Sequence, residues 1–568
     1  MTRTVDIDAT TLWDRRIGAA PIVDRFVERC GLYRLFDDYL PTDPRATLAP
    51  SVPLLALISN LVIERAPAYK IAEWATGRSL GALGTRGCRP ELLTDDRLGR
   101  SLDALFEADR ASMLTALMTG VITTFSIATD ELHNDATTLS LHGAYANGTG
   151  ASARAPLVTF GHAKERPDLA QLIWLLTVSA DGNVPITYRM ADGNTSEDKT
   201  HIATWEECCT LANSRSFLYV ADAKLCNRDA MGYIDTNEGR FVTVMPRTRT
   251  EDKEFRRHIA TNTVAWHEVL RCPARRKDDP EVVFWTTPAP SCSVEGYRIV
   301  WVKSSDKETG DAATRHRRIE AAREAITELN AKLSGPRARL KDSASVHTAA
   351  TAAVDEAKAS RWVRPEAHAT TTSSYRQKSR GRPGPHTEYV RIDKEHFTVE
   401  AVILDDVVRF DAASDGCWPL MSNDKVMTDA ELFFAYKRQP GVERPHHVLK
   451  GVINFTPVYL KSNERIDAFG FLGYVALVVH ALIERTLRRA MRDEGITSLA
   501  LYPEDRHCTS PTAARVIEIF EPLCAHDLIE QGEVVKTYDP LLTKLHRQIL
   551  DLLGVPASAY MSARTAAK

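Results

Sequence analysis

FLYVADAKL, residues 217–225, decides how the rest of the chain reads. Its apolar run Phe217–Val220 has the character of a short buried strand, and Asp222 follows directly. A lone Asp after a strand is ordinarily a turn or capping residue, so its meaning rests on its surroundings. Upstream, HNDATTLSLHG (133–143) alternates apolar and polar residues and carries Asp135 within a strand. Downstream, AYKRQPGVERPHHVLK (435–450) has helical spacing and carries Glu443. Two carboxylates from strands and a third from a distant helix can gather around a pair of Mg²⁺ ions, which take hard oxygen ligands. Two such ions about 4 Å apart support in-line phosphoryl displacement, the chemistry that cuts and joins DNA.

Around these acids the pattern is regular. Period-2 or continuous apolar runs at 134–141, 171–179 and 184–190 read as strands. A helix from Thr200, a strand at 217–221, a helix from about 227 and a strand at 241–245 follow. Three strands, a helix, a strand, a helix and a strand is the order of a ribonuclease H-like core. That order puts the first acid on the first strand and the second at the end of the fourth. The expected fold class is α/β and multidomain: a mixed sheet with flanking helices, interrupted by an inserted domain and preceded by an all-helical N-terminal domain. The expected divisions are 1–120 (helical), 121–246 (core, first part), 247–396 (insertion), 397–495 (core, second part) and 496–568 (C-terminal, helical). Few strand signals precede residue 122, whereas SVPLLALISNLVIERA (51–66), 68–75 and 98–119 read as helices. The insertion shows a strand at 297–302, a charged helical run at 312–333 and an Ala-rich helix at 343–360. FTVEAVILDDVVRF (397–410) and CWPLMSN (417–423) read as strand-rich, and helices follow at 428–437, 441–451 and 465–492. Ser510–Phe520 reads as a C-terminal helix capped by Ser510, with Pro511 at its first position. MSARTAAK at the end reads as frayed.

Composition narrows the class. The 568 residues call for two to four domains, and 44% hydrophobic with 26% charged content is that of a globular protein. A net charge of −3 gives no overall support to nucleic-acid binding, although a local basic patch does not show in the total. The ten cysteines contain no CxxC pair and no zinc spacing, and adjacent Cys208–Cys209 read as buried thiols of a reduced protein. MTRTVDIDATTLWDRR lacks an apolar signal segment, so a cytoplasmic location is expected. Phe469–Ile483 is apolar but short for a bilayer, which needs about 20 residues, and reads as a buried helix.

In detail the chain resembles bacterial insertion-sequence transposases of the DDE class, in the subgroup with a Tyr–Arg–Glu–Lys signature, Y-x2-R-x3-E-x6-K. Tyr436, Glu443 and Lys450 fall at the right offsets, and Gln439 stands at the Arg position. The stretch from Gly161 to Thr200, VADAKLCNRDAMGYIDTNEGRFVTVMP (220–246), the helix after Glu443 (455–491) and GAAPIVDRFVERCGLYRLFDDYLPTD (18–43) are similar to segments of these enzymes. The resemblance covers most of residues 17–520. It implies that Asp135, Asp222 and Glu443 are catalytic and hold two Mg²⁺ ions, with Mn²⁺ able to substitute. It also implies strand cleavage and strand transfer, cut-and-paste movement and often a hairpin intermediate. The expected partner is double-stranded DNA, both terminal inverted repeats and target, bound by a dimer in a bacterial cytoplasm at the nucleoid. Tyr436 and Lys450 would hold the cleaved strand, with Arg438 or Arg444 serving for the missing Arg. Two rivals stand beside this reading: a ribonuclease H-like nuclease without strand transfer, and a retired transposase that only binds DNA.

Other motifs have plainer alternatives. SSYRQKSRGRPGPHTEY (373–389) presents Arg376, Lys378, Arg380 and Arg382 as a basic loop. It suits phosphate contact, or minor-groove entry by the Arg-Gly-Arg-Pro element. His162, Lys164, Arg166 and Asp168 form a polar cluster that either approaches substrate or organises a loop. Asn194 and Asp198 suit turn and capping roles. His446 and His447, being adjacent on a helix, face different directions and do not suit zinc.

Overall fold

The computed structural model describes residues 10–83, 85, 88–142, 154–161, 166–273, 280–335, 339–453, 455, 460–531 and 533–562. In chain order the strands begin with β1 (Thr10–Arg16), β2 (Glu131–Leu141), β3 (Ala170–Ser179), β4 (Pro185–Asp192), β5 (Leu218–Ala221) and β6 (Arg240–Val244). Next come β7 (His267–Cys272), β8 (Val282–Pro288), β9 (Arg298–Ser304), β10 (Val363–Gln377), β11 (Tyr389–Ile403) and β12 (Cys417–Ser422). β13 (Leu499–Tyr502), β14 (Arg506–Cys508), β15 (Cys524–Glu530) and β16 (Glu533–Tyr538) complete the set. The chain is a mixed α/β protein of two compact units: residues 1–243 with 435–568, and residues 244–434.

The first unit is built on the strand order β4-β3-β2-β5-β6. β2 pairs antiparallel with β3 and parallel with β5, and β5 pairs parallel with β6. β3 is buried along nearly its whole length, as expected of a central strand with a continuous apolar run. The helix His201–Ala212 connects β4 to β5, and the helix Arg228–Thr236, capped by Asn227 through Ala230 N–H (2.8 Å), connects β5 to β6. The sequence order of strands and helices is therefore the order observed.

Helix Asn463–Asp493 is the apolar axis of this unit. It is long and apolar enough to cross a membrane, but 94% of its most apolar window is buried inside the protein. It packs on the helices Ser51–Ile63, Asp95–Glu107 and Lys544–Leu553 and on β4. Ser51–Ile63 is buried at every position, the signature of a helix enclosed on all sides. Tyr188 of β4 stacks between Trp174 and Tyr474, with ring centroids 4.9 and 4.6 Å away. The run expected at 98–119 is two helices, Asp95–Glu107 and Arg110–Phe125, because Asp109 caps the second through Ser112 N–H (3.1 Å).

Several expectations need correction. Residues 1–120 are not purely helical, since β1 pairs with β15 more than 500 residues away, and β15 pairs with β16. The 496–568 region likewise carries four strands besides its helices. These pairings are non-local, and short half-exposed strands leave little periodicity to read. The C-terminal helix expected at 510–520 is Ala513–Phe520 with Thr512 as its cap, and the helix Lys544–Leu553 follows it. Of residues 561–568, expected to fray, 563–568 lie outside the described residues.

The second unit extends to Phe434 rather than to 396, so the 397–434 passage belongs with the insertion. Its strand order is β12-β9-β8-β7. The helices Ser305–Ser334 and Ser343–Glu356 cover the base of the β10–β11 hairpin, where Val363, Phe397 and Val399 are buried with Ile326 and Val346. Beyond that base the hairpin is exposed, and its paired strands reach Gln377 and Tyr389. The basic segment expected as a loop is thus partly strand. Asp405–Ala412, expected as strand, is a helix.

Candidate active site

The register of the parallel pair places the first two acids. Asn134 of β2 is level with Ala221 of β5, so Asp135 and Asp222, each one residue further on, fall at the same level of neighbouring strands. Neighbouring strands lie about 4.8 Å apart, and residues at one level of a parallel pair project to one face. Asp222 is fixed as it leaves β5. Its Oδ1 accepts from Lys224 N–H (2.9 Å), and its carbonyl accepts from Thr243 Oγ1 (2.6 Å).

Glu443 is exposed at the start of the helix Glu443–His447. It follows the 3-10 turn Gln439–Val442 and leads into a π turn, Val448–Val452, which holds Lys450. A π turn is wider than an α turn, so the seven-residue spacing from Glu443 to Lys450 is not the two regular turns expected from sequence. His446 is buried and His447 exposed, so the two imidazoles do face different directions.

Electrostatics ties the three acids together. Burial, foremost, pushes the Asp135 carboxyl up to about 7 against the hydrogen bond from the Ala136 backbone, and the charges of Asp222, Glu197 and Glu443 push the same way. Tyr436, in the helix Asp429–Lys437, is pushed up to about 12 by burial and then by Asp222, Asp135 and Glu443. Its phenol therefore stays protonated and available as a donor. His446 is pushed down to about 3 by burial and by Lys450, and its Nε2 lies 3.7 Å from Asp135 Oδ2.

The residue at the signature's Arg position has a structural task. Gln439 is buried; its Nε2 donates to the carbonyl of Asn134 (2.8 Å), and its Oε1 lies 2.9 Å from His133 Nδ1. His133 Nε2 in turn meets Glu131 Oε1 (2.8 Å), and Arg438 Nε donates to that same oxygen (2.6 Å). Asn134 Nδ2 bonds Leu176 O (3.2 Å) and Thr177 Oγ1 (3.0 Å) on the other side. This chain of bonds fixes the segment bearing Glu443 against the strand bearing Asp135. Arg444 pairs with Glu484 (2.8 Å), so both arginines offered for phosphate contact have partners within the protein.

Sequence reasoning missed Glu131, His133 and Glu197, and gave Gln439 no role of its own. Glu197 lies in DGNTSED, which reads as a turn; only the fold brings its charge within reach of Asp135. The alternation of buried His133 and Asn134 with Asp135 was a usable signal, because polar residues that interrupt a central strand need partners.

The remaining candidates stand elsewhere. Arg376 is exposed on β10 opposite Val390, Lys378 pairs with Glu388 (2.8 Å), and Arg380 and Arg382 are exposed in the hairpin turn. Arg166 and Asp168 form an exposed ion pair (2.8 Å); His162 and Lys164 lie outside the described residues. Asn194 lies in the turn after β4, and Asp198 accepts from Ser196 Oγ. All ten cysteines are free, with Cys208 and Cys209 buried.

Oxygen donors with crowded negative charge suit a divalent cation, and the two ring nitrogens of buried His446 make no hydrogen bond beside Asp135. Among the described residues, however, no group of three or more His, Cys, Asp or Glu side chains is arranged to hold a metal ion as it stands. The acids sense one another's charge without forming a closed cage, which is compatible with a cation that keeps several of its waters.

Residues 14–119 match the family described as a domain of unknown function, DUF4277. No curated protein matches the chain. Among solved structures, the chain is similar to a piggyBac transposase in a synaptic complex with hairpin DNA, at 8% identity and a TM-score of 0.33, covering 88% of this chain and 76% of that one. At that level neither fold nor function carries across.

Proposed function

We propose that the chain is a DDE-class transposase of the Tyr–Arg–Glu–Lys insertion-sequence subgroup, with a ribonuclease H-like core. The reading rests on one observation: Asp135 and Asp222 directly follow the level pair Asn134 and Ala221 of adjacent parallel strands, with Glu443 acting electrostatically on the first. These carboxylates would hold Mg²⁺, or Mn²⁺ in its place. When bound, the metal supplies Lewis-acid stabilisation of charge on the phosphate oxygens during in-line displacement.

The chain's own residues do the rest. Tyr436 donates from its protonated phenol to a phosphate oxygen, and Lys450 neutralises the same strand. Gln439 and His133 keep Glu443 in position against β2. Two displacements follow at this one site. Water first attacks the phosphodiester at the element end, and the released 3′-OH then attacks target DNA. Two ends need two sites, so a dimer acts on the DNA, in a cut-and-paste cycle.

The test is Mg²⁺-dependent cleavage and joining of DNA carrying the flanking inverted repeats, with Asp222→Asn and Glu443→Gln beside the native protein. Repeat-dependent cleavage and joining by the native protein alone supports the reading. Cleavage that ignores the repeats and never joins would reassign the chain as a general nuclease. Repeat binding with no cleavage would make it a DNA-binding protein only.

A further inference from the structure

A cavity of about 450 Å³ lies within the second unit, among the helices Thr250–Thr261, Ser305–Ser334 and Asp405–Ala412. Its wall carries five arginines and four aspartates, and the pairing among them is unequal. Every aspartate is committed. Asp252 accepts from Arg256 Nε (2.8 Å), and Asp415 accepts twice from buried Arg315 (2.6 and 2.8 Å). Asp411 accepts from Arg361 Nε (2.6 Å) and Trp362 Nε1 (2.7 Å). Asp311 accepts from Lys307 Nζ (2.9 Å) and Gly416 N–H (3.0 Å).

Two arginines of the wall, Arg247 and Arg318, make no ion pair or hydrogen bond among the described residues. The cavity therefore keeps two guanidinium groups outside its ion pairs, exposed Arg247, whose charge reaches Asp311 only at a distance, and half-buried Arg318, beside the half-buried ring of Trp362 and the hydroxyls of Thr314 and Ser414. A guanidinium presents paired donors that match phosphate oxygens. The volume is that of a small-molecule site, which spans roughly 300–1,000 Å³.

We infer that this cavity binds a free nucleotide, with Arg247 and Arg318 on its phosphates and Trp362 beside its base. A duplex displays its phosphates on a convex surface, whereas this wall is concave and studded with carboxylates, so the free ligand fits the shape better than nucleic acid does. The aspartates do not repel it, because each is already neutralised. Their second task is to hold Arg256, Arg315 and Arg361 out of the ligand's way.

The experiment is calorimetric titration of the full-length protein with inorganic pyrophosphate and with ATP, without added metal. Both bind, ATP more tightly; Arg247→Gln and Arg318→Gln each weaken both by about tenfold, in line with the loss of a charge-assisted hydrogen bond. Trp362→Leu narrows the gap between ATP and pyrophosphate. Unchanged melting temperatures in the two Gln variants show that the fold is kept. Absence of binding at millimolar ligand overturns the assignment, as does binding indifferent to both arginine changes. Displacement of ATP by duplex DNA, lost in the Gln variants, would also overturn it by giving these arginines to a nucleic-acid backbone.

Discussion

At Asp135 ionisation is opposed by burial and by neighbouring carboxylates, and the consequence is measurable. Its carboxyl stands near 7 in the folded state against 3.8 when unperturbed. The folded chain thus holds a proton that the unfolded chain has released between those values, so stability falls as pH rises through that window. Asp135→Asn removes the penalty. In metal-free urea unfolding the variant matches the native protein near pH 4 and exceeds it near pH 8 by at most about 4 kcal/mol, at roughly 1.4 per pKa unit. By the proposed cation site, millimolar Mg²⁺ raises the melting temperature of the native protein and leaves that of the variant where it was. Gln439 gives a second test. Gln439→Ala strips partners from buried His133 and from the Asn134 carbonyl, and costs about 1–3 kcal/mol. Its DNA cleavage falls further than its DNA binding, because what moves is the third acid. From sequence Gln439 reads as a lost arginine. Its bonds to β2 explain why an amide, with both a donor and an acceptor, serves there.

Among the elements, the strands β2 and β5 were legible because the first announces itself by alternation and the second by an apolar run, and each carries its acid or is followed directly by it. Of the hairpin β10–β11, only the end of β11 from Phe397 was legible. Its distal residues are exposed on both faces, the apolar Tyr375, Tyr389, Val390 and Ile392 included, so no period-2 burial pattern forms, and Arg, Gly and Pro in its turn read as a loop. The 363–377 strand exists through pairing with its partner, which local sequence does not record. Backbone proximity also fixes the edge of the first unit's sheet. A Cβ on Gly193 would lie 2.1 Å from the carbonyl oxygen of Gln171 and 2.4 Å from that of Thr159. Backbone on both sides cannot yield as a side chain would, so Gly193→Ala costs about 3 kcal/mol in chemical denaturation. Gly120→Ala, with open space around its Cβ position, has no such cost and serves as the control.

Across the whole molecule, the first unit is discontinuous in sequence, closed by residues on both sides of the second. Strand β1 is paired to β15, and Arg15 bonds Asp527 (3.0 Å) across that pair. Deleting residues 1–16 leaves an edge of β15 unpaired. The truncated protein should melt lower and aggregate more readily in light scattering, since open edges recruit other strands.

The pairing of β1 with β15 also sets a clock on synthesis. Translation proceeds at about 5–20 residues per second, so Asp135 and Asp222 are made well before Glu443, and the closing strand comes later still. A chain still on the ribosome therefore holds two of its three acids without the frame that aligns them. Arrested nascent chains ending before residue 435 should leave residues 131–243 open to protease, and chains extended past residue 538 and clear of the exit tunnel should not. Under the proposed DNA-cutting activity, competence that waits for the strand at 524–530 would keep shorter, unfinished copies from cutting.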